Sequence, residues 1–163
     1  MTPRTYSCDA NHIPKGSEVG SLPLKVKTMA KQKIVSRREL ELSIICEDRP
    51  GTLSHLAKLL GDAKVNIVAM SCTTSGVQGA VRIIVDDVPR AKRILDREHL
   101  PYTEHDVRYV ELPNLPGALA SFTGKLATQN INVTTAYETA TKGSKKAIVI
   151  FRVSDLDKAA AIQ

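Results

Sequence analysis

Large aromatic side chains are scarce in this chain: of its 163 residues none is tryptophan, two are phenylalanine and four are tyrosine. A sheet that reads single-stranded RNA needs aromatic side chains on which the bases can stack. The scarcity therefore argues against nucleic acid as a partner.

Long apolar runs and paired cysteines are also missing. No stretch approaches the roughly 18 apolar residues of a membrane span, and the N-terminus has no apolar segment of the secretory kind. These absences predict a cytoplasmic protein with no membrane partner. The three cysteines, Cys8, Cys46 and Cys72, have neither the even count of a disulfide framework nor a metal-binding spacing. We expect Cys46 and Cys72 to be buried thiols.

The positive charge is confined to one end of the chain. The formal net charge is +6, and residues 1–38 alone contain eight basic and two acidic residues, which accounts for all of it. Residues 1–36 also lack sustained periodicity, so we predict a disordered basic N-terminal tail over 1–36. The basic charge belongs to this tail and does not indicate a nucleic-acid surface.

Catalytic patterns are absent as well. The sequence has no glycine-rich nucleotide loop and no metal-ligand spacing, and none of its four histidines stands at a recognisable catalytic spacing from a cysteine, a serine turn or a carboxylate cluster. We predict a protein that is not an enzyme and that needs no metal or cofactor.

What the chain does contain is an internal repeat at an offset of 66 residues. The hexapeptide Asp48-Arg49-Pro50-Gly51-Thr52-Leu53 is echoed by Asn114-Leu115-Pro116-Gly117-Ala118-Leu119, and Val65-Asn66-Ile67 by Ile131-Asn132-Val133. A period this long points to duplication of a small domain rather than to a stacked array.

Each copy shows the same order of elements. Alternating apolar residues predict a first strand, a proline-glycine turn opens an amphipathic helix, and a hairpin and a second helix follow. The fold class is therefore α+β, with two tandem ferredoxin-like βαββαβ modules at 39–105 and 106–163. The second module lacks its last strand, whose equivalent would fall at 168–170. Either the chain is truncated there or another subunit covers that edge.

These motifs resemble the ACT domain, a small ferredoxin-like unit that binds amino acids and regulates metabolic enzymes. The pattern is most similar to the serine-sensing ACT module of phosphoglycerate dehydrogenase, in which ligand lies between two modules. The resemblance implies ligand contacts from the turn before the first helix and from the start of the second strand. In this chain those residues are Asp48, Pro50, Gly51, Thr52, Leu53, Asn66 and Ile67 in the first copy, and Asn114, Gly117, Ala118, Leu119, Asn132 and Val133 in the second.

The same positions have a physical rationale and a structural alternative. Free N–H groups at a helix N-terminus suit the carboxylate of an amino acid, and a carboxylate such as Asp48 accepts from its ammonium group. Alternatively, Asp48 and Asn114 cap their helices, and Asn66 and Asn132 are ordinary turn residues.

The predicted function is a non-catalytic, tandem amino-acid-binding regulator, with ligand at the interface of the two ACT modules. We expect the two sheets and the first helices to be joined. Partners would be an amino acid and either a second copy in a homodimer or a metabolic enzyme. The alternative is a regulatory subunit of an amino-acid biosynthetic enzyme, similar to the small subunit of acetolactate synthase, which acts through protein contact.

Overall fold

A computed structural model describes residues 34–75 and 78–162. Its elements, in chain order, are β1 (Val35–Glu47), α1 (Thr52–Asp62), β2 (Ile67–Ser75), β3 (Gln78–Val85), α2 (Val88–Arg97), β4 (Tyr102–Pro113), α3 (Ala118–Thr128), β5 (Val133–Ala140), β6 (Lys146–Val153) and α4 (Leu156–Ala160). No helix in these residues is long and apolar enough to cross a membrane. The predicted tail lies almost wholly outside the described residues.

The six strands form one antiparallel sheet in the order β2-β3-β1-β4-β6-β5. Each half of this order contains the strands of one repeat, with that repeat's first strand towards the centre and its second strand at the outer edge. The α+β class and the tandem ferredoxin-like modules are therefore confirmed.

The two central strands are shared by both modules. β1 and β4 pair continuously from Val35 opposite Glu111 to Ile44 opposite Tyr102. The predicted division between modules falls inside β4, because the short strand expected near Tyr102 and the first strand of the second module are one element. β1 begins at Val35, two residues inside the predicted tail.

The beginning of β1 takes the place of the missing last strand of the second module. In the first module, Tyr102 lies opposite Ile44; in the second, the position equivalent to Ile44 is Val110, and Ser36 lies opposite it. The beginning of β1 therefore occupies the position predicted for 168–170. The edge beside β4, for which we expected a truncated strand or another subunit, is covered by residues 35–38, which precede the first repeat.

Repeat and register together define an approximate two-fold axis. Leu40 is paired with Asp106, and these residues are also equivalent in the repeat, because 106 minus 40 is 66. The axis passes between them, normal to the sheet. It places equivalent features of the two modules at opposite ends of the β1–β4 ladder.

Two hydrophobic cores lie side by side on the helix-bearing face. The first contains Leu42, Ile83, Leu56, Leu60 and Leu95 from β1, β3, α1 and α2. The second contains Val110, Phe151, Phe122, Leu126 and Ala159 from β4, β6, α3 and α4. The sheets of the two modules are joined as expected, whereas the first helices α1 and α3 pack into separate cores.

The helix-free face carries a buried contact between the modules. Glu41 on β1 is only 1% exposed. It accepts hydrogen bonds from the Tyr137 hydroxyl at 2.9 Å and from Arg152 Nη2 at 2.8 Å. Two strands separate β5 from β1 in the sheet, so the sheet must coil strongly for Tyr137 to reach Glu41. The carboxylate of one module is thereby held by two residues of the other.

Some expected burial is not observed. Cys72 is exposed and Cys46 is half-buried, so the prediction of two buried thiols is wrong for Cys72. Leu53 and Leu119, the equivalent leucines after the two Pro-Gly turns, are 39% and 41% exposed. Both lie in the first turn of their helices and belong to neither core.

Candidate functional site

The turn between β1 and α1 has a backbone that only glycine adopts readily. Gly51 has φ +95° and is the N-cap of α1, yet no side chain caps the helix. The Thr52 N–H donates to the Arg49 carbonyl at 3.3 Å and closes the turn. The next N–H groups of an uncapped helix have no intrahelical acceptor and attract a negatively charged group.

A groove of about 410 Å³ opens beside this turn. It lies between the end of β1, the first turn of α1 and the segment that leads into β4. Its lining residues are Ile45, Cys46, Glu47, Arg49, Pro50, Gly51, Thr52, His55 and Leu100. The predicted site residues Pro50, Gly51 and Thr52 are therefore at a groove.

Both signs of charge are available at the groove. Glu47 and Arg49 form an ion pair at 3.0 Å and are each more than 70% exposed, so either can exchange its partner for a ligand. Asp48, beside them, has no hydrogen bond or ion pair within residues 34–75 and 78–162, and it does not cap α1. Burial, with smaller effects of Cys72 and Asp48, raises the pKa of the Cys46 thiol and keeps it neutral.

The equivalent turn of the second module has the same backbone. Gly117 has φ +88° and caps α3 without a side-chain hydrogen bond. The preceding Asn114 is held by the β5–β6 loop, because its Nδ2 donates to the Ser144 carbonyl at 3.1 Å. Neither Asp48 nor Asn114 is a helix cap, so the structural alternative for these two residues is wrong.

The two asparagines at the strand starts lie far from both turns. The Asn66 N–H donates to Asp86 Oδ1 at 2.9 Å, and the Asn132 N–H donates to Ser154 Oγ at 3.0 Å. Both side chains are exposed at the outer edges of the sheet. Within one chain, the structure therefore does not bring the two turns and the two asparagines together into one pocket.

Three other predicted contact residues pack against the hydrophobic cores and do not line the groove at the turn. Val133 and Ala118 are partly buried against the second core, and Ile67 is partly buried against the first. Ile67 also lines a separate groove of about 320 Å³ between β2 and β5 on the helix-free face, which is largely aliphatic. The sequence pattern identifies such positions as apolar, but it does not show whether their side chains face a core or a groove.

Six lining residues of the turn groove were missed by the sequence analysis: Ile45, Cys46, Glu47, Arg49, His55 and Leu100. Five of them flank the Pro-Gly motif within a few positions, and their nearness to it was a usable signal. Leu100 is distant in sequence and arrives because the start of β4 pairs with the end of β1. Among residues 34–75 and 78–162, no group of three potential metal ligands is found.

This fold is similar to that of known proteins. The ACT domain family matches residues 40–99, and a search of curated proteins finds no match. Protein BT0572 from Bacteroides thetaiotaomicron is 29% identical, with a TM-score of 0.72 over 77% of this chain and 85% of that one.

Two Thermus proteins share the fold at lower identity. The aspartate kinase regulatory subunit of Thermus thermophilus is 15% identical, with a TM-score of 0.60 over 77% of this chain and 91% of that one. The corresponding subunit of Thermus flavus is 16% identical, with a TM-score of 0.53 over 72% and 85%. The ACT domain is a regulatory fold. Residues 40–99 match the ACT domain family, and the second module repeats the fold of the first.

Proposed function

We propose that this protein is a cytoplasmic, non-catalytic regulator that binds a free amino acid in the groove beside Gly51. The observation that carries the proposal is the chemistry of that groove. It joins an uncapped helix N-terminus to an exposed acid, an exposed base and two apolar residues.

Each part of an amino acid finds a complement there. The carboxylate would accept from the first N–H groups of α1 and from Arg49, where the helix dipole also favours negative charge. The ammonium group would donate to Glu47 or to the unpartnered Asp48. An aliphatic part of the ligand would contact Ile45 and Leu100, which line the same groove.

The interface between modules enters the proposal through a second copy. Within one chain the two turns lie at opposite ends of the β1–β4 ladder, and Asn66 and Asn132 lie at the starts of the outer strands. A pocket that combines a turn with a strand-start asparagine therefore requires two chains in a homo-oligomer. We keep Asn66, Asn114 and Asn132 as proposed ligand residues in that assembly.

A second candidate function is that of a subunit attached to an amino-acid biosynthetic enzyme. It is favoured by the turn of the second module, where Leu115 is 55% exposed and Leu119 is 41% exposed. Neighbouring exposed leucines suit a protein contact better than a polar ligand.

The test is a thermal-shift screen of the full chain against the twenty amino acids, followed by calorimetry on any amino acid that stabilises it. A ligand at one hundred times its Kd adds about 2.7 kcal/mol to the free energy of unfolding. We expect one amino acid or one related group to do so, and the double variant Glu47→Gln/Arg49→Gln to lose most of the response.

The matched control is Lys58→Gln/Asp62→Asn, which removes an exposed ion pair of 2.7 Å from the same helix. It should keep the full amino-acid response. A flat screen on folded protein would contradict the proposal and favour the enzyme-subunit function, which a stable complex with an enzyme on gel filtration would then support.

A further inference from the structure

A buried arginine stands where the first module has a core leucine. Arg108 on β4 is 7% exposed, and its repeat equivalent is Leu42, since 108 minus 66 is 42. Leu42 is fully buried in the first core. Burying a guanidinium group is costly unless its charge is compensated, so this exchange of Leu for Arg calls for a partner.

The described part of the chain offers Arg108 little compensation. Its Nη2 donates to Ser36 Oγ, while its Nε is buried without any acceptor. No carboxylate of residues 34–75 and 78–162 forms an ion pair with it. The nearest acid in sequence on the same face of β4, Asp106, instead accepts from Arg38 Nη2 at 2.7 Å. Arg38 Nη1 also lies 3.9 Å from Asp157 Oδ1.

A second guanidinium lies directly opposite. Arg38 on β1 is paired with Arg108 in the sheet register, so both side chains project from the same face of adjacent strands. Burial, and then the positive charge of Arg38, lower the pKa of Arg108. The Arg38 side chain is 56% exposed, so the pair joins one buried guanidinium group to one that contacts solvent.

We propose that Arg38 and Arg108 bind a small oxyanion, a carboxylate or a phosphate, at the seam between the two modules. The anion accepts from the guanidinium groups of Arg108 and Arg38, and the Ser36 hydroxyl donates to it. Guanidinium forks match the oxygen spacing of both anion classes. The site uses the central strands and shares no residue with the turn groove.

The experiment titrates the full chain with sodium phosphate or sodium acetate, at constant ionic strength set with sodium chloride, and follows the thermal midpoint and the heat of binding. We expect saturable stabilisation by at least one anion. Which anion acts will separate a phosphate ligand from a carboxylate ligand. Arg108→Leu, which installs the residue of the first module, should weaken the affinity at least about tenfold.

Two further variants keep the test decisive. Arg38→Gln changes an exposed residue, should fold normally and should also weaken the affinity, whereas Arg93→Gln on the exposed face of α2 should not. The absence of any saturable response in the wild-type chain, or equal responses in the wild type and in both seam variants, would overturn the proposal. The amino-acid response at Gly51 should persist in Arg108→Leu, so the failure of one site is distinguishable from the failure of the other.

Discussion

The turns before α1 and α3 share one backbone and differ in most of their side chains. The Arg49 N–H donates to the Glu47 carbonyl in the first turn, and the Leu115 N–H donates to the Pro113 carbonyl in the second. Around the two left-handed glycines, however, the side chains differ. Glu47, Arg49 and Thr52 of the first turn correspond to Pro113, Leu115 and Ala118 of the second. The Pro-Gly motif thus specifies the path of the chain, while the flanking residues set the charge and polarity at each turn.

The comparison extends to the cores, where the two modules should be energetically alike. Leu60 and Leu126 are equivalent and almost fully buried, at 0% and 1% exposure. We expect Leu60→Ala and Leu126→Ala each to lower the free energy of unfolding by about 3 kcal/mol, because each leaves a cavity in a packed core. Urea denaturation followed by circular dichroism measures both.

Both variants should unfold in a single transition, because β1 and β4 are shared by the modules. A Leu126→Ala protein that unfolds in two steps, with the first module melting at its wild-type position, would show that the modules are independent.

The two glycines allow a closer comparison of the turns. No atom lies within 4 Å of a Cβ built on Gly51 or on Gly117, and both have positive φ. Gly51→Ala and Gly117→Ala should therefore each cost about 1 kcal/mol from backbone strain alone. If the groove at the first turn is the main amino-acid site, Gly51→Ala should weaken binding in calorimetry more than Gly117→Ala does. Equal losses of affinity in both variants would mean that the turns have equal roles.

The smallest expected effect concerns His105, which faces Glu41 across the central strands. Burial lowers the pKa of His105; Arg152 and Arg82 add to this, while Glu41 opposes it. The folded protein thus prefers neutral His105, so its contribution to stability is present above the unfolded pKa of about 6.5 and falls as the pH drops below that value. His105→Gln should flatten the fall in thermal midpoint between about pH 7 and pH 5. An unchanged slope would contradict this assignment.

The repeat carried most of the fold prediction, because each copy places its apolar residues at helix and strand periods. The beginning of β1, at residues 35–39, was not predicted from the sequence, for a physical reason. Its residues are mostly polar and its side chains are held by long-range contacts, such as the Arg37 guanidinium lying 3.6 Å above the ring of Tyr109. Such pairing depends on the partner strand rather than on local pattern.

The site was predicted less completely than the fold. The Pro50-Gly51-Thr52 motif located the turn, since the positive φ of Gly51 is a conformation that favours glycine. The role of Leu100, and the separation of Asn66 from the turn, follow from strand order and register. A pairing such as Tyr137 with Glu41, 96 residues apart, likewise leaves no mark on either local sequence.

The continuity of β1 and β4 has a mechanical consequence. A regulator with two modules joined by a linker can signal by swinging one module about a hinge, but this chain has its boundary in the middle of two paired strands. Rotation there would break the β1–β4 ladder. A force applied at one end of the sheet would therefore reach the other end as a change in the twist of the strands, and not as a rotation of one module about a hinge.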